Sequence, residues 1–386
     1  MRQLKSLIQL PYFLFCVFVF YWSFPIGCLT HHIHFLKFSG KRNDMHTWSE
    51  TMCSFFGIRF VKYGEEKLSK GSRNILYLSN HRSWADFFVD VYLTEGNAAM
   101  LSRMLVFFVF PIFMTSVVVL KGIILFKRGT IADKEKFNAW LDVMLERSPI
   151  PGMLVYPEGH RSTRPHSLPL KRGMLYYAHS RGMPVQIIIS NGKEGVMSEK
   201  QRRAGFGKTV VVGFSSVIDT AAYKGNVEGF MARVQEEWNK LWGQVYSADP
   251  AGLPPLRQDP PMLDYAASMR TQQLAIAVFS MFALAGVLWV TWRMFAWLTA
   301  LAGPLQHALA VLLLTWFAAS IIAGVMGPSL PTHSSSLQNP PSLKADKSVS
   351  AAAAAAAAAS GDGSLHEAPS GKAPAAAATQ NHNHQH

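Results

Sequence analysis

The chain has 386 residues, with 37 Lys and Arg against 24 Asp and Glu for a net charge of +13, yet only 16% is charged and 49% is hydrophobic. A basic chain this poor in charge is a poor fit to a soluble nucleic-acid binder; it suits a protein at an anionic membrane surface or one that grips phosphorylated substrates. Three cysteines, none in a Cys-x-x-Cys pair, exclude a disulfide framework and a zinc ribbon.

In chain order, Leu7 to Leu29 is the first feature, an uncharged run of 23 residues, long enough to cross a ~30 Å hydrocarbon core as a helix. It follows Arg2 and Lys5, but it exceeds a signal-peptide core and no small-x-small site follows, so an uncleaved anchor is expected. Pro11 and Pro25 leave room for a helix that only dips into the leaflet. From Asp44 to Arg270 the composition is that of an ordinary globular body. Apolar, β-branched runs predict strands at Ile75–Ser79, part of Val117–Phe126, Met153–Tyr156, Val185–Ser190 and Thr209–Phe214. Helical spacing predicts helices over Asp133–Arg147 and near Asn226–Trp242. Met104 to Leu120 is apolar but short for a span and broken by Pro111, so a buried or interfacial segment is expected.

Short buried strands alternating with helices imply an α/β sandwich. Beyond it, Thr271–Trp292 and Leu305–Met326, separated by Gly303–Pro304, read as a transmembrane hairpin. Pro331 to His386 is low-complexity, including nine alanines from Ala351 to Ala359, and reads as a disordered tail. The expected organisation is an anchor over 1–43, a globular body over 44–250, a linker and hairpin over 251–330, and the tail over 331–386. Lys and Arg are dense in the body and sparse after Arg293, which places the body on the cytosolic side.

Two motifs carry chemistry. In Asn80-His81-Arg82-Ser83-Trp84-Ala85-Asp86, His81 directly follows a predicted strand, where α/β sheets bind ligands. His81 and Asp86 can meet only if His81 lies in the loop and Asp86 opens the next helix; the carboxylate would then fix the imidazole tautomer. The plainer reading is a satisfied histidine with an Asp stabilised at a helix N-terminus. In Tyr156-Pro157-Glu158-Gly159-His160-Arg161-Ser162, Gly159 permits a sharp turn or close approach, and Arg161 offers a planar fork to phosphate. Glu158 can orient that Arg or accept from a hydroxyl; alternatively the pair forms a surface ion pair of little weight. Phe126-Lys127-Arg128-Gly129 adds cations after another strand. Lys171 and Arg172 precede a predicted helix and either face an anion or stand as solvated charge.

These stations, in this order, resemble the glycerolipid acyltransferase family that includes 1-acylglycerol-3-phosphate acyltransferases. Its four blocks correspond here to Asn80–Asp86, the stretch ending at Arg128, Tyr156–Ser162, and Met183-Pro184-Val185-Gln186-Ile187-Ile188. His160 stands where that family usually has Thr, and Lys127 where an acidic residue is common. Leu7–Leu29 with Trp48–Phe56 is similar in placement to the family's membrane-contacting two-helix element.

The resemblance implies that His81 is a general base oriented by Asp86. Asn80, Arg128, Glu158, Gly159, Arg161, Ser162, Lys171 and Pro184 are the implied substrate-binding positions, with Arg128 and Arg161 on the acceptor phosphate. It implies acyl-CoA as co-substrate, a lysophospholipid acceptor (lysophosphatidic acid first), a bilayer as partner, no metal or other cofactor, and residence in the endoplasmic reticulum membrane. Ser83 is not expected to act as a nucleophile. Another lysophospholipid or glycerol-3-phosphate as acceptor, and a non-catalytic membrane scaffold of the same fold, remain the alternatives.

Overall fold

The computed structural model describes residues 2–30, 40–70, 74–127 and 133–326. Arg128, Gly129 and the low-complexity tail lie outside the described residues. In chain order the elements are α1 (Arg2–Thr30), β1 (Gly40–Arg42), α2 (Asp44–Phe55), β2 (Arg59–Tyr63), β3 (Ile75–Ser79), α3 (Asp86–Leu93), β4 (Ala98–Arg103), α4 (Leu105–Val109), α5 (Pro111–Val119) and β5 (Ile123–Phe126). Then follow α6 (Lys134–Glu146), β6 (Gly152–Val155), α7 (Gly173–Ser180), β7 (Val185–Asn191), β8 (Met197–Ser198), β9 (Arg203–Ala204), β10 (Thr209–Phe214), α8 (Val227–Ser247), β11 (Leu263–Tyr265), α9 (Ala267–Ala302) and α10 (Gln306–Met326).

The fold is mixed α/β around a seven-stranded sheet of order β2-β10-β7-β3-β6-β4-β5. All pairs are parallel except β7 with β10. The central strands β3 and β7 are buried along their whole length, as strands covered on both faces must be, which explains their unbroken apolar runs. Helix caps match local chemistry: Asp133 accepts from the Glu135 and Lys136 backbone N–H groups, and Asn226 from that of Gly229.

The predicted strand within Val117–Phe126 is confined to β5, because residues 117–119 finish helix α5. Within the seven-stranded sheet, two strands have no counterpart in the sequence reading, β2 and β4. Strand β2 has only one β-branched residue, Val61, between two charged ones, and Ala98–Arg103 has none. Met104–Leu120 divides at Pro111, the first residue of α5. Helix α5 buries Phe113, Met114 and Val117, whereas α4 exposes Leu105, Phe108 and Val109.

Among the described residues, three helices are long and apolar enough to cross a membrane: α1, α9 and α10. Helix α9 has 36 residues, about 54 Å, more than a bilayer core requires. Its first turns are bound to the body, with Arg270 paired to Asp44 and Gln273 bonded to Ser116 of α5. Helix α10 returns to the body at its other end, where Lys208 donates to the Val325 carbonyl at 3.2 Å. There a Cβ on Gly324 would stand 2.8 Å from the Ala204 carbonyl oxygen. The hairpin therefore starts and finishes at the body, as a membrane hairpin entering and leaving on one side must.

Pro11 explains how α1 joins this hairpin. It has no N–H to donate to the Leu7 carbonyl, an acceptor that would be costly to leave bare in an apolar setting. The Trp316 indole N–H supplies that bond at 3.1 Å, the Tyr12 N–H turns to Ser320 Oγ at 3.1 Å, and Gln9 donates to the Ala323 carbonyl at 3.0 Å. Further along, Phe20 and Phe24 enter the core beside Trp48 of α2 and Phe113 of α5, and the Trp48 indole N–H donates to Ser23 Oγ at 2.9 Å. The strand pair β1–β11 ties the segment after α1 to the segment before α9.

Candidate active site

Strands β3, β6, β4 and β7 run parallel and end on one edge of the sheet, where α/β folds place their sites. His81 lies in the loop after β3, and Asp86 is the first residue of α3. The loop curls back so that Asp86 Oδ2 accepts from His81 Nδ1 at 2.7 Å, from the Ser83 backbone N–H at 3.0 Å and from that of Arg82. A spacing of five thus closes through the turn rather than along a helix. With Nδ1–H donating to the carboxylate, the Nε2 lone pair is left for chemistry. The His81 side chain is 22% exposed, whereas Asp86 is sealed at 1%. The Tyr156 ring stacks on the imidazole with centroids 4.0 Å apart and planes 12° apart, fixing its orientation from the end of β6.

The backbone around His81 is held by buried side chains. Glu158 accepts from the His81 backbone N–H at 2.9 Å and from that of Leu168 at 2.9 Å. The Ser162 N–H donates to the His81 carbonyl at 2.9 Å. Asn80 donates to the Ser190 carbonyl at 2.8 Å and accepts from the Ser190 N–H at 3.0 Å, tying the end of β3 to β7. Arg82 runs inward, bonding Glu194 at 2.6 Å and the Arg164 carbonyl at 2.7 Å, over the rings of Trp242 and Tyr246.

A second buried layer stands behind the dyad. Lys193, fully buried after β7, donates to both oxygens of Asp90 at 2.9 Å and to the Asn80 carbonyl at 2.8 Å, and its ammonium lies 3.7 Å from Asp86 Oδ1. Tyr156 donates to Asp90 at 2.8 Å. Burial works to raise the Asp86 pKa, but the Lys193 ammonium, then the hydrogen bond and charge of His81 and the Arg82 N–H, hold it below the ordinary carboxylate value. At Asp90 burial prevails over Lys193, with Asp86 adding repulsion, and the carboxyl rises to about 6. Burial also raises Glu158, against the pull of the Leu168 and His81 N–H groups.

Cationic groups line the neighbouring turn. Gly159 has φ +74°, a left-handed conformation that favours glycine, and the Lys171 side chain lies against it. Arg103, the exposed last residue of β4, reaches the Gly159 carbonyl at 3.5 Å. Its register partner on β5 is Phe126, which puts exposed Lys127 on the same edge. Arg161 is paired with Glu199 at 2.8 Å and is 35% exposed. Base and cations thus meet at one strand edge, an arrangement able to deprotonate a hydroxyl on a molecule that also carries an anionic group.

Residues 59–190 match the family model described as Acyltransferase. That segment is an acyltransferase-family domain. No curated protein matches the chain. Among solved structures, the chain is similar to the 1-acyl-sn-glycerophosphate acyltransferase PlsC from Thermotoga maritima, at 16% identity and a TM-score of 0.47, covering 62% of this chain and 96% of that one.

Within the acyltransferase domain, the structure brings together His81, Asp86, Gly159, Lys171 and Arg161, and it separates others from the expected binding role. Asn80, Glu158 and Ser162 are buried and turned to the backbone, so they build the loop rather than offer themselves to a ligand. Arg161 pairs with Glu199, and Glu158 does not orient it. Pro184 precedes β7 at the start of that strand, where its carbonyl accepts from Leu76 N–H at 2.9 Å, at the opposite sheet edge from His81. Arg172 pairs with Glu228 on the surface. Ser83 is buried, with its Oγ directed to the Lys193 carbonyl at 3.3 Å.

The sequence reading missed Arg103, Tyr156 as the stacking partner, Asp90 and Lys193. Asp90 carried a signal: four residues after Asp86 it shares that helix face. Among the described residues no group of three or more His, Cys, Asp or Glu side chains is placed to hold a metal ion.

Proposed function

We propose that the protein is a membrane-bound acyltransferase that moves a fatty acyl group from acyl-CoA to the free hydroxyl of lysophosphatidic acid, giving phosphatidic acid. The observation that carries this reading is the His81–Asp86 dyad, poised by Tyr156, beside the cationic turn of Arg103, Gly159 and Lys171. His81 Nε2 takes the proton of the acceptor hydroxyl as its oxygen attacks the thioester carbonyl. The new C–O bond forms, the C–S bond breaks, and the imidazolium returns the proton to the leaving thiolate. Asp86 stays ionised and stabilises the imidazolium. No covalent acyl-enzyme is needed, and base catalysis on a thioester asks for no resident metal. The cations balance the acceptor phosphate.

The three apolar helices suit an acceptor that resides in a bilayer. The basic body fits the cytosolic face of the endoplasmic reticulum membrane. The test is thiol release from acyl-CoA by the detergent-solubilised full chain, with lysophosphatidic acid, lysophosphatidylethanolamine, lysophosphatidylinositol and glycerol-3-phosphate as acceptors. Release that depends on lysophosphatidic acid is the expected result. Release only with another acceptor overturns the substrate, and no release with any overturns the reaction.

A further inference from the structure

We infer that Lys193 is a positioning residue that, with Asp90, sets the net charge His81 faces and so the strength of that base. The inference rests on the reading of His81 as general base and goes beyond the dyad. Asp86 and Asp90 stand one turn apart on α3, both sealed from water at 1%. Two such carboxylates repel each other unless a cation is placed between them. Lys193 supplies it from a separate element, the turn after β7, and is itself 0% exposed. It is bonded to both Asp90 oxygens, whereas Asp86 Oδ1 has no hydrogen-bond donor among the described residues and faces the ammonium at 3.7 Å.

Above the Asp90 value of about 6, Lys193 and Asp90 therefore cancel, leaving the Asp86 charge to the imidazole. The cluster carries one negative charge while His81 is neutral and none once it is protonated. Tyr156 links the two layers, its hydroxyl on Asp90 and its ring on His81. Of the other charged groups near His81, Glu158 is held by two backbone N–H groups, Arg82 by Glu194 and Arg161 by Glu199, while Arg103 and Lys171 on the neighbouring turn are the same in every protein compared below.

Charge complementation tests this. In the full chain in detergent micelles, with ring-labelled histidine, the His81 resonance is assigned by its loss in His81→Ala and titrated. Lys193→Met removes a positive charge and favours the imidazolium, so the His81 midpoint moves up by about one pH unit; Asp90→Asn removes a negative charge and moves it down by about one. The double variant restores the wild-type charge and returns the midpoint to within about 0.3 of wild type. The acid limb of the turnover profile follows in the same directions.

Singles that move the midpoint alike or not at all, or a double that stays displaced, overturn the inference. Should Lys193→Met not fold, Asp90→Asn and the charge-neutral double decide by the same criteria. A wild-type protein without turnover defeats the acyltransferase reaction, while the titration still judges Lys193.

Discussion

The Glu158 carboxylate accepts the backbone N–H of His81 at 2.9 Å, so the second motif holds the loop that carries the first. Its other oxygen holds the Leu168 N–H. Glu158→Ala strands two buried donors, each costing about 1–3 kcal/mol. We predict a lower unfolding midpoint in detergent together with reduced kcat. Glu158→Gln, which keeps one acceptor oxygen, falls between wild type and Ala on both. Unchanged kcat in folded Glu158→Ala would show that the loop holds His81 unaided.

Asp86 and Asp90 contribute to stability with opposite signs. Asp86 is held below its ordinary value of 3.8 in the folded state, so its contribution is present above that value and is lost as pH falls through the folded pKa. Asp90 is raised to about 6, so its contribution is present below 3.8 and is lost as pH rises through about 6. Chemical denaturation across acid pH should therefore show a shallower loss of stability below pH 3.8 in Asp86→Asn. Asp90→Asn should instead flatten the change between 3.8 and about 6. Identical profiles for the two variants would contradict the assignment.

The apolar stretch Met104–Leu120 holds two roles split at Pro111. Phe108 is 71% exposed on α4, directly after Arg103, whereas Phe113 is 0% exposed in the ring cluster with Phe20, Phe24 and Trp48. Phe108→Glu should leave the unfolding free energy within about 0.5 kcal/mol of wild type while raising KM for a vesicle-borne acceptor. Phe113→Glu should destabilise by more than ~3 kcal/mol through an unpaired buried charge. Equal stability losses would place α4 in the core as well.

Helix α10 docks through a close approach. A side chain at Gly324 meets the Ala204 carbonyl and the Tyr12 ring within 3 Å, whereas one at Gly286 of α9 meets nothing within 4 Å. Gly324→Leu is expected to cost about 1–3 kcal/mol, and Gly286→Leu little or nothing, by thermal unfolding in detergent. A comparable effect at both sites would mean that α10 does not pack there.

The dyad was legible as a candidate because its geometry is local: a loop, a helix start and a carboxylate five positions on that the turn can bring back to the imidazole. The sheet was legible in its core strands, where burial on both faces writes itself as apolar runs. Lys193 was not, because Asn191-Gly192-Lys193-Glu194-Gly195 reads as a solvated turn, and only the β3–β7 pairing buries it. Arg103 was missed because its strand is Ala-rich and gives no β signal. Asn80, Glu158 and Ser162 were legible as motif members but not as scaffold, since a polar side chain in sequence does not reveal whether it faces a ligand or a backbone N–H. The bond from Trp316 to Leu7 joins residues 309 apart, and only the missing N–H of Pro11 hinted that a carbonyl there needed a partner.

The most direct test of the central claim is acceptor-dependent thiol release from acyl-CoA by purified wild type and His81→Ala, both shown folded by thermal unfolding. With His81 as the base, wild type releases thiol when lysophosphatidic acid is added and His81→Ala falls by about 10²–10⁴-fold. Equal rates in the two proteins would contradict the account, because the proton would then be leaving the hydroxyl by another route.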